Sequence, residues 1–110
     1  MRYVLLYITT ASRDEAMAIG RTLVEGNLAA CANVLPGMTS VYRWHGAIEQ
    51  SDETVLLLKT RADLVDQATR RVVALHSYEC PCVVSLPVES GNPPFLQWVS
   101  EQTAAADASV

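Results

Sequence analysis

From Arg2 to Thr10 the chain is aromatic, β-branched or leucine with almost no polar interruption. Such a run predicts a strand covered on both faces, and so a central one. Ser12-Arg13-Asp14-Glu15 then has the form of a capping box, with Ser12 accepting from the Glu15 amide and the Glu15 carboxylate reaching back. A helix is expected from about Arg13 to Glu25. Ala16, Ile19 and Leu23 fall on one face of it, and Gly26-Asn27 supplies the left-handed residue that ends it.

Ala30 to Trp44 alternates loosely as a strand with a break at Pro36-Gly37. After His45-Gly46 a second run, Ala47 to Lys59, returns with a break at Ser51-Asp52-Glu53. This is a hairpin whose arms, at ~3.3 Å per residue, are each roughly 40 to 50 Å long, so its outer half must overhang the sheet. Thr60-Arg61-Ala62-Asp63 opens a second capped helix with Leu64, Ala68, Val72 and Leu75 on one face, ending near His76. Cys80 to Val88 reads as the fourth strand. Asn92 is placed to N-cap a short C-terminal helix begun by proline and carrying Phe95, Trp98 and Val99.

The order strand, helix, strand, strand, helix, strand predicts an α+β, ferredoxin-like βαββαβ domain over residues 1 to 103, with both helices on one face of an antiparallel sheet. Residues 104 to 110 lack apolar periodicity and are expected to fray. The strands are apolar on both sides, so the helix-free face needs a cover. Three copies packing their sheets inward, with hairpins crossing to neighbours, would supply it.

Composition narrows the function. The 110 residues are 50% hydrophobic and 18% charged, enough for one domain with a core that needs no disulfide or metal to fold. A net charge of −4 without a basic cluster excludes the electrostatic footprint of a nucleic-acid binder. Apolar runs outside the first strand, such as Val55 to Leu58, are far too short to span a membrane, and the N-terminal run reads as a strand rather than a signal peptide. Three cysteines, an odd number without an export signal, point to reduced thiols and the cytoplasm.

No phosphate-binding glycine loop, zinc-protease helix, nucleophile elbow or paired Cys-x-x-Cys is present, so the chain does not read as an enzyme. Cys80-Pro81-Cys82 sets two thiols on one face of an extended strand, where both reach one soft metal ion; the competing reading is that cysteine here is a small core hydrophobe. The same two readings apply to Cys31. His76 sits at a helix end, where an imidazolium suits the helix dipole and where ligation is the alternative. Lys59 after four apolar positions marks a pocket rim, and Thr60 is explained by capping. Tyr42 and Trp44 share a face at the hairpin end and read as subunit-interface anchors.

Taken together, Leu28 to Asn33, Thr39 to Trp44, Leu58 to Arg61, His76-Ser77-Tyr78-Glu79, Leu86-Pro87-Val88 and Gly91 to Trp98 resemble the CutA divalent-cation-tolerance family over roughly residues 3 to 103. The resemblance implies a homotrimer, similar in architecture to PII signalling proteins, associated with tolerance to copper and other divalent metal ions and with copper binding. By position, Cys31 fits the family's second-strand cysteine, and His76, Tyr78 and Glu79 fit its His-Pro-Tyr-Glu segment, with Ser77 standing where proline is usual. The role of Cys80 and Cys82 rests on their chemistry alone. The expected metal set is therefore Cys31, His76, Cys80 and Cys82, holding copper weakly or transiently, and the expected ligand cleft is Lys59, Thr60, Tyr78 and Glu79. A PII-like module binding a small anion through Lys59 and Arg61 is the second reading; an enzyme using His76 and Glu79 as acid and base is the third.

Overall fold

Burial alternates strictly along the first strand: Val4, Leu6, Ile8 and Thr10 are buried, and the residues between them are half-buried. In the computed structural model, which describes residues 1–109, this strand is β1, Tyr3–Thr10. It is followed by α1 (Arg13–Glu25), β2 (Cys31–Trp44), β3 (Ala47–Arg61), a 3-10 turn (Ala62–Leu64), α2 (Val65–Leu75), β4 (Val83–Val88), α3 (Pro93–Thr103) and a 3-10 segment (Ala104–Ser109). The sheet runs β2-β3-β1-β4 with every neighbouring pair antiparallel. That is the expected α+β order.

One sheet face carries Leu6, Ile8, Leu56 and Leu58, all fully buried beneath Ile19 and Leu23 of α1 and Ala68 and Val72 of α2. Burying each such side chain is worth about 1.5–3 kcal/mol, so this layer dominates the fold's stability. Gly20 lets α1 settle close: a Cβ there would lie 3.0 Å from the Cβ of Ala32 and 3.1 Å from Leu56. The opposite face has no such layer. Leu5, Tyr7 and Leu57 on it are half-buried, while Leu35, Val84 and Leu86 are 52%, 49% and 48% exposed. Its Tyr3 end is covered by α3, where the Tyr3 hydroxyl meets Ser100 at 2.6 Å and Lys59 Nζ lies 5.5 Å from the Phe95 ring centroid.

Helix α1 begins and ends as expected. Ser12 accepts from the Glu15 amide at 3.1 Å, although Glu15 reaches back one residue further, to the Ala11 amide at 3.0 Å. Asn27, with φ of 61°, takes the left-handed position.

Four expectations are corrected. Thr60 is not a helix cap: it pairs with Val4 inside the sheet and donates to the Leu28 carbonyl at 2.8 Å. The second helix opens instead on the 3-10 turn, without a side-chain cap. Strand β3 runs unbroken through Ser51-Asp52-Glu53, because there it overhangs the core and pairs with β2 through Ser40↔Ser51 and the solvent-exposed Thr39↔Asp52. Strand β4 starts at Val83, so Cys80 and Cys82 precede it. Finally, residues 104–109, expected to fray, are placed as a 3-10 segment. Asp107 accepts from both Nη atoms of the buried Arg61, at 2.6 and 3.1 Å, and Ala106 is buried. Val110 lies outside the described residues.

Candidate functional site

Strand β1 pairs with β3 only from Thr54 to Arg61, so Ala47–Glu53 and their β2 partners extend past the sheet as a two-stranded arm. On one side of this arm, Met38, Ser40, Tyr42 and Trp44 alternate into phase with Glu53. The connection from α2 to β4 runs beside the arm, and between them lies a cleft of about 750 Å3. Thr9, Tyr42, Trp44, Glu53, Tyr78, Glu79, Cys80 and Cys82 line it.

The connection is held in place by backbone bonds. His76 Nε2 lies 2.8 Å from the Thr9 carbonyl, and Nδ1 accepts from the Tyr78 amide at 3.1 Å. An amide can only donate, so Nδ1 is the acceptor and the ring proton sits on Nε2. Glu15, from the first turn of α1, accepts from the Ser77 amide at 2.9 Å. Burial would raise the Glu15 pKa, but the bonds from Ser77 and Ala11 hold it below the ordinary carboxylate value.

At the inner end of the cleft Tyr78 donates its hydroxyl to Glu53 at 2.6 Å. Burial first, and then the Glu53 charge, push the Tyr78 pKa well above that of a free phenol. The same two causes raise the Cys82 thiol. Glu53 is only 8% exposed and forms no ion pair among the described residues.

The sequence-predicted residues thus divide. Tyr42, Trp44, Tyr78, Glu79, Cys80 and Cys82 meet at the cleft. Lys59 and Thr60 do not: they lie toward the other end of β3, against Phe95 and Leu28. Arg61 is engaged by Asp63 and Asp107, so the guanidinium expected to bind an anion is already paired. His76 has both nitrogens in backbone bonds and no exposed side-chain surface, and it does not line the cleft with the other expected residues. Cys31 pairs with Lys59 on β2, one sheet edge, whereas Cys82 precedes β4, the other edge. Three strand spacings of ~4.8 Å separate those edges by roughly 14 Å, too far to share an ion within one chain. Sequence reasoning missed Glu53. Its signal was phase: it continues the Val55 and Leu57 face, where a carboxylate is out of place.

A family model described as CutA1 divalent ion tolerance protein matches residues 4–102, nearly every element above. The chain belongs to the CutA1 family. It is 46% identical over 95 residues to the CutA homolog of Xenopus laevis, covering 86% of this chain but only 63% of that protein. It is 42% identical over 99 residues to the divalent-cation tolerance protein CutA of Thermus thermophilus, covering 90% and 96%. The crystal structure of CutA1 from Oryza sativa superposes with a TM-score of 0.91 at 34% identity, covering 94% of each chain. These family names describe tolerance to cations and name no reaction.

The described residues of this chain do not make a closed metal centre. No group of three or more His, Cys, Asp or Glu among the described residues could hold an ion. What the cleft offers a cation is the pair of free, exposed thiols Cys80 and Cys82 at its mouth. No helix among the described residues is long and apolar enough to cross a membrane.

Proposed function

We propose that the protein serves divalent-cation tolerance as a cytoplasmic homotrimer that takes soft metal ions, copper before zinc, as weakly held cargo at Cys80 and Cys82. The observation that carries this reading is the pairing of two free thiols at the mouth of the cleft. Thiolates select Cu(I) over hard cations, and two donors without a third and fourth favour exchange over retention. The raised pKa of Cys82 works in the same direction, because a thiol must lose its proton to bind metal.

Assembly follows from the uncovered apolar surface. Leu35, Val84 and Leu86 on the helix-free face and Val41, Trp44 and Ile48 on the arm are 41–67% exposed in the single chain. A two-stranded arm is marginal in water on its own, so packing of each arm on a neighbouring copy is the stable arrangement. Tyr42 and Trp44 then anchor that contact.

The test is a Cu(I) titration under reducing conditions against a competing chelator, using wild type, Cys31→Ser and Cys80→Ser/Cys82→Ser. Loss of binding in the double variant alone is expected. Equal binding by all three, or none above the chelator, rejects the metal reading. Light scattering gives the mass of three chains on this proposal, and a monomer at micromolar concentration rejects the assembly.

A further inference from the structure

We propose that the tip of one copy's arm seats in the cleft of the next copy and brings the neighbour's Arg43 to Glu53. This rests on the homotrimer proposed above and names the two surfaces that meet in it, which makes the contact head to tail rather than like on like.

Within one chain Glu53 is buried, takes a hydrogen bond from the Tyr78 hydroxyl, and pairs with no cation among the described residues. Buried charges are as a rule paired, because an unpaired one forfeits solvation without return. Of the chain's basic residues, four lie on α1 and α2, Arg61 is held by Asp63 and Asp107, Lys59 lies against Phe95, and Arg2 precedes β1 at the end of the sheet away from the arm. Only Arg43 stands on the arm. It is exposed and forms no ion pair among the described residues. It borders the cleft of its own chain, yet it does not serve Glu53 there. Opposite Ile48, Arg43 stands five positions along β3 from Glu53 and on the other side of the arm, roughly 16 Å away at 3.3 Å per residue. A second copy has no such constraint.

The two sides of the arm are complementary to each other. Tyr42 and Trp44 are in phase with Glu53, and the cleft they line is made further acidic by Glu79. The opposite side carries Val41, Arg43 and Ile48, a cation between two aliphatic side chains that are 67% and 62% exposed. An apolar, basic ridge thus matches an aromatic, acidic cleft, which fixes register as well as partner. The space of about 750 Å3 in the single chain is then where the neighbour's arm tip sits, and Tyr42 and Trp44 become the walls that close on it. Each copy offers one ridge and one cleft on distinct surfaces, so every contact leaves one of each for the next copy, and three copies close the ring.

The experiment uses the full chain carrying Cys31→Ser, Cys80→Ser and Cys82→Ser, so that no native thiol competes. Adding Arg43→Cys and Glu53→Cys together and oxidising with glutathione disulfide should give a covalent trimer on a non-reducing gel. Within one chain the two positions lie far beyond the ~7 Å that a disulfide spans between Cα atoms, so each bond joins two copies. Either single cysteine variant should run as a monomer. Should Glu53→Cys misfold, light scattering on dilution decides instead: Arg43→Glu should raise the concentration at which the trimer dissociates at least tenfold, and Arg43→Lys less than threefold. A wild-type trimer whose folded double-cysteine variant forms no covalent trimer, or whose Arg43→Glu variant dissociates as wild type does, overturns this contact and leaves the assembly standing. A wild-type monomer overturns both.

Discussion

His76 bonds through Nε2 to the carbonyl of Thr9, the residue that lines the cleft at the end of β1, over a distance of 2.8 Å. With Nδ1 accepting from Tyr78, the ring acts as a strut between β1 and the α2–β4 connection. Replacing it by alanine leaves two backbone groups unpartnered in a buried setting. His76→Ala should destabilise the fold by about 2–4 kcal/mol, from two lost bonds plus a cavity. Urea unfolding at fixed protein concentration measures this. Cu(I) affinity should stay within a factor of two, and a loss comparable to that of the cysteine double variant would restore His76 as a ligand.

Cys82 and Glu53 are coupled through their charges. Burial raises the Cys82 pKa first and the Glu53 carboxylate raises it further, so removing the carboxylate removes only the second contribution. In a Cys31→Ser/Cys80→Ser background, Glu53→Gln should lower the pH midpoint of Cys82 alkylation by iodoacetamide. An unshifted midpoint would show that burial alone controls the thiol.

Glu15 ties the start of α1 to Ser77, and its folded pKa is depressed. A depressed carboxyl contributes stability that is fully present above its unfolded value, ~4.3, and is lost as the pH falls through the lower folded value. Wild type should therefore exceed Glu15→Gln in stability by about 1 kcal/mol near neutrality, and the two should converge in acid. Chemical denaturation at a series of pH values tests the sign. A gap that widens on acidification would contradict it.

The parts of this fold that were legible in the sequence are those where local chemistry and tertiary packing agree. Ser12, Glu15 and Asn27 mark α1 at both ends, and the lengths of the hairpin arms already require an overhang. Where the two disagree, packing won. Thr60 with Asp63 three residues later imitates a helix cap, but Thr60 stands opposite Val4 on the helix-covered face and spends its hydroxyl on Leu28. Cys80 and Cys82 looked like strand residues, yet the connection is bent around His76 and β4 starts only at Val83. The cleft was half legible. Tyr78 and Glu79 were found in the segment that His76 pins, whereas Glu53 comes from a strand 25 residues away and meets Tyr78 only through the fold.

Arg61 supplies the last test. Its guanidinium is nearly buried at the end of β3 and bonds to Asp63 through Nε and Nη2 and to Asp107 through both Nη atoms. The paired fork is the geometry in which an arginine–carboxylate contact has most directional strength. The hydrogen bond from Arg61 lowers the pKa of Asp107, and the two carboxylates, against the cost of burial, raise that of Arg61. Asp107 itself faces solvent, so the pair's value lies in fixing the 3-10 segment Ala104–Ser109 rather than in overall stability. Asp107→Asn should leave the urea midpoint nearly unchanged while speeding hydrogen exchange at the amides of residues 104–107. The depressed Asp107 pKa gives the same release in acid: the segment stays fixed above the ordinary aspartate value, ~3.9, and loosens as the pH falls through the lower folded one. Arg61→Met should release the segment and in addition leave Asp63 without its partner, so its effect should exceed that of Asp107→Asn. Exchange in Asp107→Asn as slow as in wild type would show that the burial of Ala106, and not the arginine clamp, holds the segment in place.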